Sequence, residues 1–249
     1  MKRIGRVERV LNGFSFIEDY HSNNYYAADR EVLGTKKLSE NLLVSFEIKK
    51  GNPKPKAVNI EILPDFDKID HDNEDKKHWC EIGAAEEAEF IEKIEPYIEE
   101  KLMINPEKKD DATAIDLSFK NINRYADLKT QRTPFFKANE FYDFDPRYTV
   151  TFNRNDYQNY SINYNNPMIY FWVNWKELNK EIKNCIYEVE PLYGVWKVSL
   201  LDITQKIENG EAPLHKYINR RNDNENARDS YLLDLREFNK IYPPYNIEY

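Results

Sequence analysis

Cysteine, glycine, long apolar runs and basic charge are all scarce in this 249-residue chain, and each scarcity removes a class of function. Only Cys80 and Cys185 occur, without paired spacing, so neither a disulfide framework nor a cysteine zinc site is expected. His21, His71, His78 and His215 are scattered and lack zinc-ligand spacing. With seven glycines, nothing resembles a phosphate-binding loop or a nucleophile elbow. No apolar run approaches the ~20 residues of a membrane-spanning helix. The start, Met1-Lys-Arg-Ile-Gly5, lacks the apolar core of a signal peptide, so a cytoplasmic protein with no membrane partner is expected. The net charge of −8 argues against coating nucleic acid by bulk electrostatics, while leaving room for a local basic surface.

What is present is a soluble, globular composition, 41% hydrophobic and 32% charged, long enough for one large domain or two smaller ones. The charge is uneven. Residues 1–64 hold 11 Lys/Arg against 8 Asp/Glu, residues 65–81 hold 3 against 7, and residues 82–249 hold 22 against 29, so only the first segment is basic. That segment reads as five short strands, Gly5–Leu11, Phe14–Ile17, Tyr25–Ala28, Leu42–Ile48 and Ala57–Leu63, with a hairpin signal at Asn12-Gly13 and a turn at Lys50-Gly51-Asn52-Pro53. Such a pattern predicts a small barrel over residues 1–64. An acidic, apolar-poor stretch over 65–80 reads as a linker.

Beyond it, residues 81–249 predict a mixed sheet flanked by helices. A helix is expected over Ile82–Leu102 with Phe90, Ile91, Ile94 and Ile98 on one stripe, then strands near 112–119 and 125–131, and further strands at Met168–Trp175 and Val195–Ile203. Asn153–Tyr160 and Leu214–Arg220 read as helical, and Ser230–Phe238 fits either state. Phe171, Trp172, Trp175 and Trp196 read as core, and Lys216, Arg220 and Arg221 as a solvated basic helix end.

The chemistry lies on two of these strands. Asp127 and Lys129 stand two residues apart in Ala126–Gln131, so alternation puts them on one face, and Gln131 shares that face. Asp116 alternates with Ile115 and Leu117 in the strand before. Two carboxylates and an ammonium on neighbouring strands are the minimum for holding a divalent metal and a water beside a phosphodiester. The helix offers a further acid: Glu87 lies one turn before Ile91 on the packing stripe, where a carboxylate is costly unless paired or bound to a cation, and Gly83 before it permits close approach. A one-residue change of helix phase transfers the role to Glu86. Against all this stands the reading of Asp127 and Lys129 as a solvated surface ion pair.

Two resemblances follow from these residues. Gly5-Arg-Val7, Asn12-Gly-Phe-Ser-Phe-Ile17, Asn24-Tyr-Tyr-Ala27, Val44-Ser-Phe-Glu47, Gly51 and Ala57-Val-Asn59 resemble a cold-shock domain, a five-stranded oligonucleotide-binding (OB-fold) barrel. The resemblance implies that Phe14, Phe16 and Tyr26 stack on unpaired bases. The chain departs from the family at Arg9, where a tryptophan is usual, at Asn12 in place of lysine, and at Ala28 in place of histidine. Residues 81–203 resemble the PD-(D/E)xK nuclease superfamily, whose helix acid falls on Glu87 or Glu86, first-strand aspartate on Asp116, and acid-x-lysine pair on Asp127 and Lys129, with Ile115 where the family often has proline. That resemblance implies a restriction-endonuclease-like fold and Mg²⁺ or Mn²⁺ held by Asp116, Asp127 and Glu87, with Lys129 positioning the attacking water. The expectation is a nuclease acting on single-stranded or distorted DNA or RNA. A homodimer is compatible with double-strand cutting, though no isologous surface is legible. The competing expectations are a non-catalytic nucleic-acid-binding protein with an inactive nuclease-like domain, and an adaptor that meets no nucleic acid.

Overall fold

The computed structural model describes residues 2–63, 86–111, 113–217, 229–244 and 246–248, and the chain divides into two compact units, Met1–Ile82 with Tyr245–Tyr249, and Gly83–Pro244. The expected acidic linker at 65–80, together with His71, His78, Cys80 and Gly83, lies outside the described residues, as do Arg220 and Arg221.

In the first unit, β1 (Lys2–Leu11), β2 (Phe14–Asp19), β3 (Asn24–Ala28), β4 (Leu43–Lys49) and β5 (Lys56–Ile62) pair in the order β1-β2-β3-β5-β4, and a β1–β4 ladder closes the barrel. The Asn12-Gly13 hairpin forms where the sequence signals it, between paired Leu11 and Phe14, with Gly13 at φ +87°. Gly5 permits the close approach of β1 to β2, since a Cβ there would fall 2.5 Å from the Glu18 carbonyl oxygen. Val7, Ile17, Tyr25, Val44, Phe46 and Ile60 fill the interior. The sheet also takes in a strand from the far end of the chain, Ile247–Glu248, which runs parallel to Lys2-Arg3.

One polar network is built into this barrel. The Asp19 carboxylate, fully buried, accepts hydrogen bonds from Arg3 (2.8 Å), the Tyr25 hydroxyl (2.8 Å) and the Asn23 backbone (2.9 Å). Burial opposes its charge, but the Asn23 backbone donor, Arg3 and Tyr25 outweigh that and hold its pKa down at about 2. Its unfolded value is about 3.9. The carboxylate therefore stabilises the fold fully above about pH 4, and the contribution is lost as pH falls towards 2. Asp19→Asn is expected to destabilise the barrel by about 2 kcal/mol at pH 7, read as faster hydrogen exchange of the β1–β3 amides in the full chain, with the difference narrowing below pH 4.

The second unit opens with helix α1 (86–94), which ends ahead of Pro96 in a 3-10 turn, Glu95–Tyr97. The expected helix to Leu102 is thus shorter, and Leu102–Ile104 is instead strand β6. Next come β7 (Leu117–Phe119), β8 (Tyr125–Gln131), α2 (Ala138–Tyr142), β9 (Thr149–Asn153), α3 (Arg154–Asn163) and β10 (Met168–Asn174). After the hairpin β11 (Asn179–Ile182) and β12 (Cys185–Glu188) follow β13 (Tyr193–Ser199), α4 (Leu200–Glu208), β14 (Leu214–His215), β15 (Ser230–Asp234), β16 (Asn239–Tyr242) and the barrel's added strand β17 (Ile247–Glu248). The main sheet is mixed, in order β16-β13-β10-β8-β7-β6, with β8 and β10 parallel and the other pairs antiparallel. Strand β10 is its buried centre, where Phe171 and Trp172 are enclosed as expected, along with Trp175 just beyond it and Trp196 on β13. A smaller sheet, β14-β15-β9, stands beside it. The helix expected at Leu214–Arg220 is not formed at its start, because Leu214 and His215 pair with Tyr231 and Ser230. The strand expected at 112–119 is only three residues long, because β6 offers just three partners.

The protein is therefore a multi-domain molecule, a closed five-stranded barrel followed by an α/β unit with mixed sheets and few helices. No described helix is long and apolar enough to cross a membrane.

Candidate functional site

Alternation along β8 does what the spacing requires. Asp127, with no exposed surface, and Lys129 emerge together, Nζ lying 2.8 Å from Asp127 Oδ2. Asp116 sits immediately before β7, and because Leu117 pairs with Ala126, its carboxylate reaches the middle of β8, where Oδ2 accepts the Leu128 backbone N–H at 3.3 Å. The two carboxyls come within hydrogen-bonding reach of one another. The sequence reading of a shared face therefore brings Asp116, Asp127 and Lys129 to one place.

Helix α1 fixes the phase of the third acid. Phe90 buries against Tyr170 and Trp172 of β10, and one turn earlier on that face Glu87 is buried. Glu86 points elsewhere and pairs with Arg132. Glu87 reaches Asp116 through a residue the sequence did not flag: Lys108 Nζ contacts Glu87 Oε1 and stands 2.7 Å from Asp116 Oδ1. Lys108 is carried there by a 3-10 turn, Pro106–Lys109, capped by the Asn105 side chain on the Glu107 N–H (3.2 Å). Asn105 is itself buried and bonds through its side chain to the Ile115 carbonyl and through its backbone N–H to the Asp116 carbonyl, both at 2.9 Å. That one residue fixes the turn bearing Lys108 against the segment bearing Asp116.

Helix α3 closes the other side. Asp156 and Tyr160, four residues apart and so on one helix face, approach Lys129 Nζ (2.6 Å) and Asp127 Oδ1 (2.9 Å, the hydroxyl donating). The Tyr160 and Phe152 rings lie 5.6 and 5.9 Å from Lys129 Nζ. Gln131, expected on the active face, is used otherwise: its amide donates to the Thr151 carbonyl and accepts from the Thr151 N–H, clamping the end of β8 to β9 and so setting where α3 begins. The capping turn at Asn153 and the i,i+4 acid and tyrosine are legible signals once that placement is known.

The resulting charges alternate: Glu87, Lys108, the Asp116–Asp127 pair, Lys129, Asp156. Burial pushes Asp127 up to about 7, Lys129 pulling against it and the Asp116 charge adding to it. Burial also works to raise Asp116, but Lys129 and Lys108 outweigh it and hold that carboxyl below its ordinary value. The two behave as a dyad that retains one proton well above the usual carboxylate range. Burial disfavours the Lys129 ammonium too, yet Asp127, Tyr160, Asp156 and Asp116 hold its pKa well above the ordinary lysine value, so it is a fixed cation and not a base. Glu87 is raised, mainly by burial.

Among the described residues, no three His, Cys, Asp or Glu groups are arranged to hold a metal ion, and Lys108 stands between Glu87 and Asp116. The pair Asp116 and Asp127 nonetheless suits a hard cation. Asp127 Oδ2 is buried and has the Lys129 ammonium, 2.8 Å away, as its partner, while Tyr160 holds Oδ1. Mg²⁺ needs only one or two carboxylates alongside water and phosphate oxygens.

On the barrel, Phe14, Phe16 and Tyr26 form a half-buried ring cluster on β2 and β3, with centroids 5.2–6.5 Å apart, and Lys54 Nζ lies 5.2 Å from the Phe16 ring. Arg9, exposed, pairs with Phe16 across the β1–β2 ladder.

No family model matches the chain, and no curated protein matches it. Among solved structures it is similar to one described as drosophila Unr CSD456, at 21% identity and a TM-score of 0.25, over 28% of this chain and 29% of that one. The likeness spans under a third of either chain, and the barrel described above rests on its own strand pairings.

Proposed function

We propose that the chain is a metal-dependent nuclease, with a restriction-endonuclease-like PD-(D/E)xK domain over its α/β unit and an OB-fold, cold-shock-like barrel that binds unpaired DNA or RNA. The observation that carries this reading is the convergence of Asp116, from the segment entering β7, and Asp127 of β8, with the Lys129 ammonium 2.8 Å from Asp127. Mg²⁺ or Mn²⁺ would be held by Asp116 and Asp127, with Glu87 as the third acid. When bound, such an ion lowers the pKa of its water and offsets the charge that builds on phosphorus. Lys129, held as a cation between Asp127 and Asp156, would orient an attacking water and stabilise the charge that develops on the phosphoryl oxygens. Tyr160 holds the Asp127 carboxyl by its Oδ1, and Lys129 lies against Oδ2. Asp127 must shed its proton to act as a ligand, so cleavage is expected to rise with pH up to about 7 and then level off.

The test is incubation of the full chain with labelled single- and double-stranded DNA and RNA in Mg²⁺, Mn²⁺ or EDTA. Cleavage with metal and none in EDTA supports the enzyme. The second reading, a non-catalytic nucleic-acid-binding protein, is favoured by the Lys108 bridge between Glu87 and Asp116, and it predicts binding without cleavage. For the barrel, Phe14→Ala and Phe16→Ala are each expected to weaken single-strand binding by about 1–3 kcal/mol, measured by fluorescence anisotropy of labelled oligonucleotides on the full chain. Unchanged affinity in both variants would remove the stacking role.

A further inference from the structure

We infer that Lys108 is a displaceable internal cation: its ammonium stands where a divalent ion would bridge Glu87 and Asp116, and the ion binds by driving it out. This rests on the metal-dependent reading and adds to it a residue that competes with the metal.

The position has the character of a cation site rather than of an ordinary surface ion pair. Lys108 Nζ touches Glu87 Oε1 and Asp116 Oδ1, two carboxylates delivered by different elements, one of them buried. Without a positive charge between them, the buried Glu87 carboxylate would face the Asp116 carboxylate with nothing to offset their repulsion. The ammonium supplies that charge when no metal is bound. A divalent ion on the same Asp116 oxygen brings two further charges beside it, and a lysine ammonium and a metal cannot both take that position.

Lys108 also has a way out. It is carried on a one-turn 3-10 segment, its side chain is 24% exposed, and its four-carbon stem can swing Nζ into water without moving the backbone that Asn105 ties down. Lys129 is set differently: it rises from the central strand β8, and two aromatic rings flank its ammonium between Asp127 and Asp156. The site thus carries two lysines of different kind, one fixed beside the reacting centre and one standing in for the metal.

The test measures Mn²⁺ affinity of the full chain by electron paramagnetic resonance, together with the Mn²⁺-induced rise in melting temperature, for wild type, Lys108→Met, Lys108→Gln and Lys108→Arg. Removing the competitor is expected to tighten Mn²⁺ binding about tenfold or more in Lys108→Met and Lys108→Gln. Both should melt lower than wild type in EDTA and gain more on adding Mn²⁺, whereas Lys108→Arg should bind no tighter than wild type. If wild type binds Mn²⁺ while Lys108→Met and Lys108→Gln bind it equally or less well, Lys108 is not a competitor and the inference is overturned with the nuclease reading intact. If neither wild type nor any variant binds Mn²⁺, the metal-dependent reading falls and takes this one with it.

Discussion

Asp127→Asn is expected to abolish cleavage while making the metal-free protein harder to unfold. The two effects have one cause. Asp127 has no exposed surface, sits within reach of Asp116, and retains its proton up to about pH 7 in the folded chain. The unfolded carboxyl loses that proton near pH 3.9. Between roughly pH 4 and 7 the native state therefore binds the extra proton, so stability falls as pH rises through that window and stays at the lower level above it. Asparagine keeps the shape of the side chain and removes its charge, and its carbonyl can still accept from Tyr160. Calorimetry in EDTA is expected to show Asp127→Asn more stable than wild type by roughly 2–3 kcal/mol at pH 8, with the gain fading towards pH 4. The same substitution removes an anionic ligand oxygen and should reduce cleavage by about 10³-fold or more. A variant less stable than wild type at pH 8 would mean that the ion pair with Lys129 outweighs burial, contrary to the account.

Lys129→Met is expected to reduce cleavage by about 10²–10³-fold with little change in nucleic-acid affinity. A donor aimed at charge that develops only in the transition state acts on the chemical step, and losses of that size follow its removal. Lys129 is suited to such a role because its charge is fixed: Asp127 and Asp156 lie 2.8 and 2.6 Å from Nζ. The pH profile separates this from a structural role. Without the ammonium, the pull that lowers Asp127 is gone, so the rise in residual cleavage should move to higher pH than in wild type. Single-turnover rates across pH, beside anisotropy for binding, provide the check; a drop in affinity that accounts for the whole loss of cleavage would contradict it.

The barrel was legible because its signals are local. A two-residue turn at Asn12-Gly13 and period-two runs on either side specify a hairpin whatever surrounds it. The Asp127 and Lys129 pairing was legible for the same reason, whereas the apolar stripe one turn before Ile91 left Glu87 and Glu86 one residue apart in phase until the packing of Phe90 on Tyr170 separated them. Lys108, Asp156 and Tyr160 were not, because they arrive from elements positioned by tertiary ties, the Asn105 bonds to residues 115 and 116 and the Gln131 clamp on Thr151. Gln131 marks the limit of the period-two argument. Alternation gives the face from which a side chain leaves, and the neighbouring strand decides whether its polar atoms are spent there. The misread start of Leu214–Arg220 has a similar origin, since a short apolar run carries no period long enough to separate helix from strand, and pairing with β15 decided it.

Anomalous scattering at the manganese edge from crystals of the full chain soaked in Mn²⁺ tests the central claim, that acids from α1, the segment entering β7, and β8 converge on one cation beside Lys129. The account predicts a single strong peak in direct contact with the Asp116 and Asp127 carboxylates, with Lys108 Nζ withdrawn from Glu87. No peak there at saturating Mn²⁺, with Lys108 still bridging Glu87 and Asp116, would contradict it.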